Sequence, residues 1–155
     1  MNLKDQLNAD LRDAMRSGDE VRKSTLRMLI TAVRNAEIPP EGASASTSRL
    51  DLDDEGVLNV VRKEVKQRRD SIDLYTKADR SDLADKEEAE VTVLSTYLPQ
   101  QMTRPEIEAV ARTIIERLGA SGAADKGKVM PSVMAELRGK AEGRDINAVV
   151  TDLLS

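Results

Sequence analysis

The run Val57-Leu58-Asn59-Val60-Val61-Arg62-Lys63-Glu64-Val65-Lys66-Gln67-Arg68-Arg69-Asp70-Ser71-Ile72 decides the fold class. Val57, Val61 and Val65 recur every fourth residue, with Leu58 beside them, and Ile72 and Tyr75 continue the stripe. That spacing lines one face of a helix, whereas a half-buried strand needs strict alternation of apolar and polar residues. Asp53 stands where an N-cap belongs, and Leu52 and Val57 are placed as a hydrophobic staple around it.

The same period extends outward in both directions. Leu3, Leu7, Leu11, Ala14 and Met15 form a stripe that Gly18 and Asp19 interrupt. A second helix is predicted from about Glu20 to Glu37, with Val21, Thr25, Leu26, Leu29, Val33 and Ala36 inside. Ile38-Pro39-Pro40 ends it, because proline disfavours helical geometry in the residue before it. Residues 39–51 carry prolines, Gly42 and a Ser/Thr-rich run with little apolar surface, and read as a mobile loop. A fourth helix is expected from Ser81 to about Leu98, with Val91, Leu94 and Leu98 inside and Pro99 as the stop.

Beyond Pro99, Thr103 and Glu106 form a capping box. The helix they open runs to Leu118, and Gly119 sits at its C-terminal cap. A sixth helix is expected over roughly Lys128 to Arg138, its start delayed because proline, here Pro131, is tolerated only in the first turn. A short last helix holds Ile146, Val149, Val150, Leu153 and Leu154. No segment alternates convincingly. The reading is all-α: a four-helix N-terminal domain over 1–98 and a three-helix C-terminal domain over 103–155.

Composition excludes several chemistries. Among 155 residues there is no Cys, His, Phe or Trp, and only two Tyr, Tyr75 and Tyr97. A thiol nucleophile, a thiolate metal site, a Ser-His-Asp triad and imidazole acid–base work are absent. Two rings are too few for a surface that stacks unpaired bases. No metal and no cofactor is expected. Met1-Asn2-Leu3-Lys4-Asp5-Gln6-Leu7 has no long apolar run, so no secretory leader is expected, and no stretch approaches the roughly 18 apolar residues of a membrane span. A soluble, cytoplasmic protein with no membrane contact is the expectation.

Basic residues supply the candidate sites in a chain of net charge −4. Residues 62–69 hold five cations against one carboxylate, and Arg62, Lys66 and Arg69 share one side of a helix. Such a row suits phosphates. The alternative is a solvated face that pairs with Asp51, Asp53, Asp54 and Glu55, or with Asp70 and Asp73. A second group, Lys126, Lys128, Arg138, Lys140 and Arg144, stands against Asp125, Glu136 and Glu142. Its glycines, Gly127, Gly139 and Gly143, let a sugar-phosphate chain come close, or simply form tight turns. Gly122 to Val129 matches a phosphate loop except that Val129 replaces the Ser/Thr for magnesium; a helix precedes it where a strand is needed. Arg27, flanked by core positions, is expected to pack its stem and reach a carboxylate.

Several segments, in order, resemble one family: Arg27-Met28-Leu29, Lys66-Gln67-Arg68-Arg69-Asp70-Ser71-Ile72, Tyr97-Leu98-Pro99, Gly127-Lys128-Val129-Met130 and Gly139-Lys140-Ala141-Glu142-Gly143-Arg144. The chain looks like a stand-alone GatB/YqeY-type protein of the YqeY kind over nearly its whole length. Pro131 after Gly-Lys-Val-Met, and Glu142 where the family often has Asp, are the departures. The resemblance implies a helical N-terminal unit and a smaller helical C-terminal one. In GatB, a subunit of glutamine-dependent tRNA amidotransferase, this unit is the tail, a tRNA-holding appendage without the chemistry. Three functions follow as expectations. They are a non-catalytic tRNA-binding adaptor, a protein–protein module contacting the aminoacylation or amidation machinery, and an enzyme with the family's carbon–nitrogen ligase activity using glutamine as amido donor. The last needs a nucleophile that releases ammonia and a nucleotide site. This chain offers no Cys and no intact phosphate loop.

Overall fold

A computed structural model of the chain describes residues 1–42 and 49–155. Among them are seven α-helices and no strand. They fall into two compact units, Met1–Leu98 and Pro99–Ser155.

The first unit holds α1 (Leu3–Ser17), α2 (Glu20–Ala36), α3 (Asp54–Lys77) and α4 (Ser81–Ser95). Local chemistry sets their ends. The Asn2 side chain accepts from the Asp5 N–H at 2.9 Å to open α1. Gly18 closes it with φ 74°, a left-handed conformation that costs a residue with Cβ energy. Asp19 then caps α2 through the Arg22 N–H, and Asp53 caps α3 through the Gly56 N–H at 2.8 Å. The core joins Leu7, Ala14, Leu26, Leu29, Val33, Val57, Val61, Val65, Val91 and Leu94, with Leu52, Ile72, Tyr97 and Leu98 packed against it.

Four expectations need correction here. Val21 and Ala36 lie outside the α2 core face, and Val21 is 46% exposed; the buried line is Thr25, Leu26, Leu29 and Val33. Met15 is 52% exposed for the same reason, since Leu7 and Ala14 already fill the inward positions of α1. Arg27 is exposed and has no ion pair among the described residues, because its neighbours Leu26 and Leu29 point inward while it points out. Helix α4 ends at Ser95, three residues early, as the Thr96, Tyr97 and Leu98 N–H groups donate to carbonyls three residues back in a tightened last turn. Residues 43–48 of the mobile loop expected over 39–51 lie outside the described residues. Its flanks are tied, with the Leu50 N–H donating to Glu37 O at 2.8 Å and Arg49 donating to Arg34 O.

The second unit holds α5 (Arg104–Leu118), a 3-10 turn over Ala123–Asp125, α6 (Lys126–Glu136) and α7 (Gly143–Leu154). The Thr103 N–H donates to the Glu106 carboxylate at 2.7 Å, completing the capping box. Gly119 caps α5 with φ 65°. Ile107, Ala111, Ile114, Val129, Val133, Leu137, Ile146, Val149, Val150 and Leu154 form one core. Pro131 does not delay α6: the helix begins at Lys126 and carries Pro131 inside. Proline withholds one helical hydrogen bond from the carbonyl four residues back. Here that carbonyl belongs to Gly127, which is exposed to water and has no side chain to crowd the ring.

Candidate nucleic-acid interface

The two basic groups meet different fates. On α3 each of the three aligned cations has a carboxylate partner. Arg62 donates to Glu55 at 3.0 Å and to the Asn59 side chain at 2.6 Å. Lys66 pairs with Asp70 one turn on at 3.1 Å, and Arg69 reaches Glu88 of α4 at 3.3 Å. A fourth cation of the run, Arg68, lies in the core with 5% exposure. Its Nε donates to Glu90 at 2.9 Å, and its Nη1 to the Glu64 carboxylate at 2.7 Å. Burial alone would lower the pKa of the guanidinium, but these two carboxylates outweigh it and raise it. The local excess of positive charge is therefore largely consumed within the first unit.

Arg68 was visible in the sequence as a position but not as a role. Val57, Val61, Val65, Arg68 and Ile72 follow one helical stripe. A cation on that stripe, with Glu64 one turn behind, is the signature of a buried ion pair. Tyr97 belongs to a second polar group of this unit. Its hydroxyl donates to Asp10 at 2.5 Å, and Arg22 stands 3.6 Å from the same carboxylate. Burial first, and the Asp10 carboxylate second, push the Tyr97 phenol above its ordinary range.

In the second unit, Lys126, Lys128, Arg138 and Lys140 have no ion pair among the described residues. Lys128, Arg138, Lys140 and Arg144 are exposed, and Lys126 is half-buried. Lys126 and Lys128 occupy the first turn of α6, which carries no acidic residue. The helix dipole disfavours cations there, so an external anion would relieve both. Arg138 and Lys140 lie in the turn after α6, which Gly139 makes possible with φ 79°. That turn is pinned by the Met102 N–H, which donates to the Lys140 carbonyl at 2.9 Å. Arg144 sits in the first turn of α7. The group is thus divided between the two ends of α6, an 11-residue helix about 16 Å long.

The charge balance of the units agrees with this division. Residues 1–98 hold sixteen basic and twenty acidic residues, the whole of the net −4, while residues 99–155 hold eight of each. Gly122 to Val129 forms a 3-10 turn entering α6, with no strand before it, so the geometry of a phosphate loop is missing. Among the described residues no cluster suits a metal ion, and no helix is long and apolar enough to cross a membrane.

An all-helical chain of two units, with a paired cationic row in one and unpaired cations in the other, is the class of protein the geometry defines. Residues 4–154 match the family described as Yqey-like protein, and the chain belongs to that family. Among curated proteins it is similar to "Altered inheritance of mitochondria protein 41, mitochondrial" from several fungi. The Lachancea thermotolerans protein is 36% identical over 68% of this chain and 53% of its own length. The Pyrenophora tritici-repentis protein is 30% identical over 88% and 71%, and a Saccharomyces cerevisiae one 28% identical over 87% and 70%. The chain spans about half the length of the first of these. All three are named as mitochondrial, which overturns the expected cytoplasmic location. An apolar run is the mark of a secretory leader, whereas mitochondrial targeting segments are amphipathic and basic, so apolarity at Met1–Leu7 does not bear on an organelle.

Proposed function

We propose that this chain is a non-catalytic adaptor that binds tRNA, or a tRNA-bearing assembly, through its C-terminal unit. The observation that supports it is the set of exposed cations on and after α6 without carboxylate partners among the described residues. Unpaired cations release counterions when they meet phosphates, whereas cations already paired must first break an internal bond. The GatB-tail resemblance supplies the RNA, and the names of the relatives favour a mitochondrial setting. Amide transfer by this chain alone is disfavoured, because activating an acceptor carboxylate needs a nucleotide site and the Gly122 to Val129 segment lacks the geometry of a phosphate loop.

The test is a fluorescence-anisotropy titration of labelled tRNA at low and near-physiological salt. The expected result is salt-sensitive binding that Lys128→Glu with Lys140→Glu abolishes and Lys66→Glu leaves intact. No binding at low salt, or equal loss with Lys66→Glu, overturns the proposal. A protein-binding role is the second reading. It is favoured by Val21 and Met28, seven residues apart on α2 and 46% and 47% exposed, and it predicts no RNA binding under any of these conditions.

A further inference from the structure

We infer that the C-terminal unit holds the paired stem of a folded RNA by the backbones of its two strands, across the outer face of α6, and reads no bases. This rests on the RNA-adaptor reading above and specifies which form of RNA the surface fits.

The outer face of α6 carries the argument. Val129 and Val133 of α6 and Leu137 after it are buried, and they fix which side of the helix faces the core. At about 100° per residue, Lys128, Pro131, Ala135 and Arg138 fall within a sector of roughly 80° on the opposite side. All four are exposed. The Leu137 N–H donates to Val133 O at 3.0 Å, so the helical path still holds at the approach to Arg138. Glu136, the acidic residue of α6, lies outside the sector. The face is therefore cation, small apolar surface, cation, with no carboxylate between.

Spacing and composition select the ligand. Ten residues at 1.5 Å rise set the backbones of Lys128 and Arg138 about 15 Å apart. Successive phosphates of one strand are far closer than this, at about 3.4 Å of rise, so two cations so placed suit two strands better than neighbours on one. The minor groove of A-form RNA is wide and shallow, displays its 2′-hydroxyls and admits a flat surface, whereas the minor groove of B-form DNA is only about 6 Å wide. Unpaired RNA is held by stacking on aromatic rings. Residues 99–155 contain none, since Tyr75 and Tyr97 both belong to the first unit. Charge complementarity without aromatic rings in this unit points to backbone recognition of a duplex.

The test uses the full chain and four labelled probes: an RNA hairpin with a stem of one helical turn, an unpaired RNA of equal length, a DNA hairpin of the same sequence, and polyglutamate. The expected order is RNA hairpin first, by about tenfold over either other nucleic acid, which is about 1.4 kcal/mol. Lys128→Gln and Arg138→Gln should each flatten the dependence of log affinity on log salt by about one, and the double variant by about two. Both side chains are exposed, so far-UV circular dichroism should be unchanged. Equal binding of hairpin and unpaired RNA overturns the stem inference and leaves the adaptor reading standing. Equal binding of the DNA hairpin overturns the groove geometry alone. Binding of polyglutamate with none of the RNAs overturns both the inference and the adaptor reading, and marks an acidic protein as the ligand.

Discussion

Replacing Arg68 by Met should bring the N-terminal unit close to unfolding, although its volume is nearly kept. Arg68 and Glu90 are 5% and 7% exposed and joined at 2.9 Å. The substitution strands the Glu90 carboxylate and also removes the 2.7 Å bond to Glu64. Removing one partner of a buried pair costs about 3–5 kcal/mol, against a total of about 5–15 kcal/mol for a domain of this size. Urea with tyrosine fluorescence is the suitable assay, because both tyrosines lie in this unit and the signal is blind to the other. At a urea slope of about 2 kcal/mol per molar, the midpoint should fall by about 2 M with the slope unchanged. Arg68→Met with Glu90→Leu should recover most of that loss, since a well-packed apolar replacement for a buried pair is often neutral or stabilising. A midpoint shift under 0.5 M (about 1 kcal/mol at that slope) for the single variant refutes the claim that the pair is desolvated. A double variant as unstable as the single one would mean that packing, not charge, sets the cost.

Tyr97→Phe removes the donor to Asp10 and should cost about 1.5–3 kcal/mol, the range for a hydrogen bond to a charged group, read in the same urea assay with the remaining tyrosine. The folded-state pKa of Tyr97 is raised, first by burial and then by Asp10. Stability linked to it is therefore complete below the unfolded value of about 10 and lost as pH rises beyond it; alkaline titration followed by circular dichroism should show a steeper loss for the wild type than for Tyr97→Phe. Pro131→Ala returns a donor to the Gly127 carbonyl and should stabilise the C-terminal unit by about 2 kcal/mol, visible as a higher melting temperature by circular dichroism. Gly119→Ala meets no atom within 4 Å but must adopt φ 65°, so a loss of about 1–2 kcal/mol in the same melt is expected from backbone strain alone.

The helices were readable because their apolar residues repeat at a fixed period and their ends carry chemistry that acts within four residues. Asp53, Thr103, Glu106 and Gly119 did in the fold what their side chains or lack of one suggested. The errors share a cause, since each turned on what lies across the core rather than along the chain. Val21 and Met15 fit the period, but their helices had filled their inward positions with other residues. Pro131 depended on whether Gly127 faced water. The row at 62–69 depended on Glu88 and Glu90 arriving from α4, nineteen and more residues away. A window count of charge has no access to such partners, so it could not separate the paired row of α3 from Lys126, Lys128, Arg138 and Lys140, which have no ion pair among the described residues.

The number of unpaired cations also limits how strongly this surface can act. If Lys128, Arg138 and Lys140 are the groups that meet phosphates, the slope of log affinity against log salt should be about −2.7, a loss of some 40-fold between 50 and 200 mM salt. The first unit carries the whole net negative charge and gives no long-range attraction to a polyanion. Binding should therefore be weak and quickly reversed, which suits an adaptor that presents an RNA and releases it. A slope of about −5.4 would require Arg62, Lys66 and Arg69 as well. Each of these would have to leave Glu55, Asp70 or Glu88, and neutralising those acids by Glu55→Gln, Asp70→Asn and Glu88→Gln should then strengthen binding. If the slope stays near −2.7 and the three neutralised acids leave it unchanged, the α3 row is a closed set of surface ion pairs and recognition belongs to the C-terminal unit.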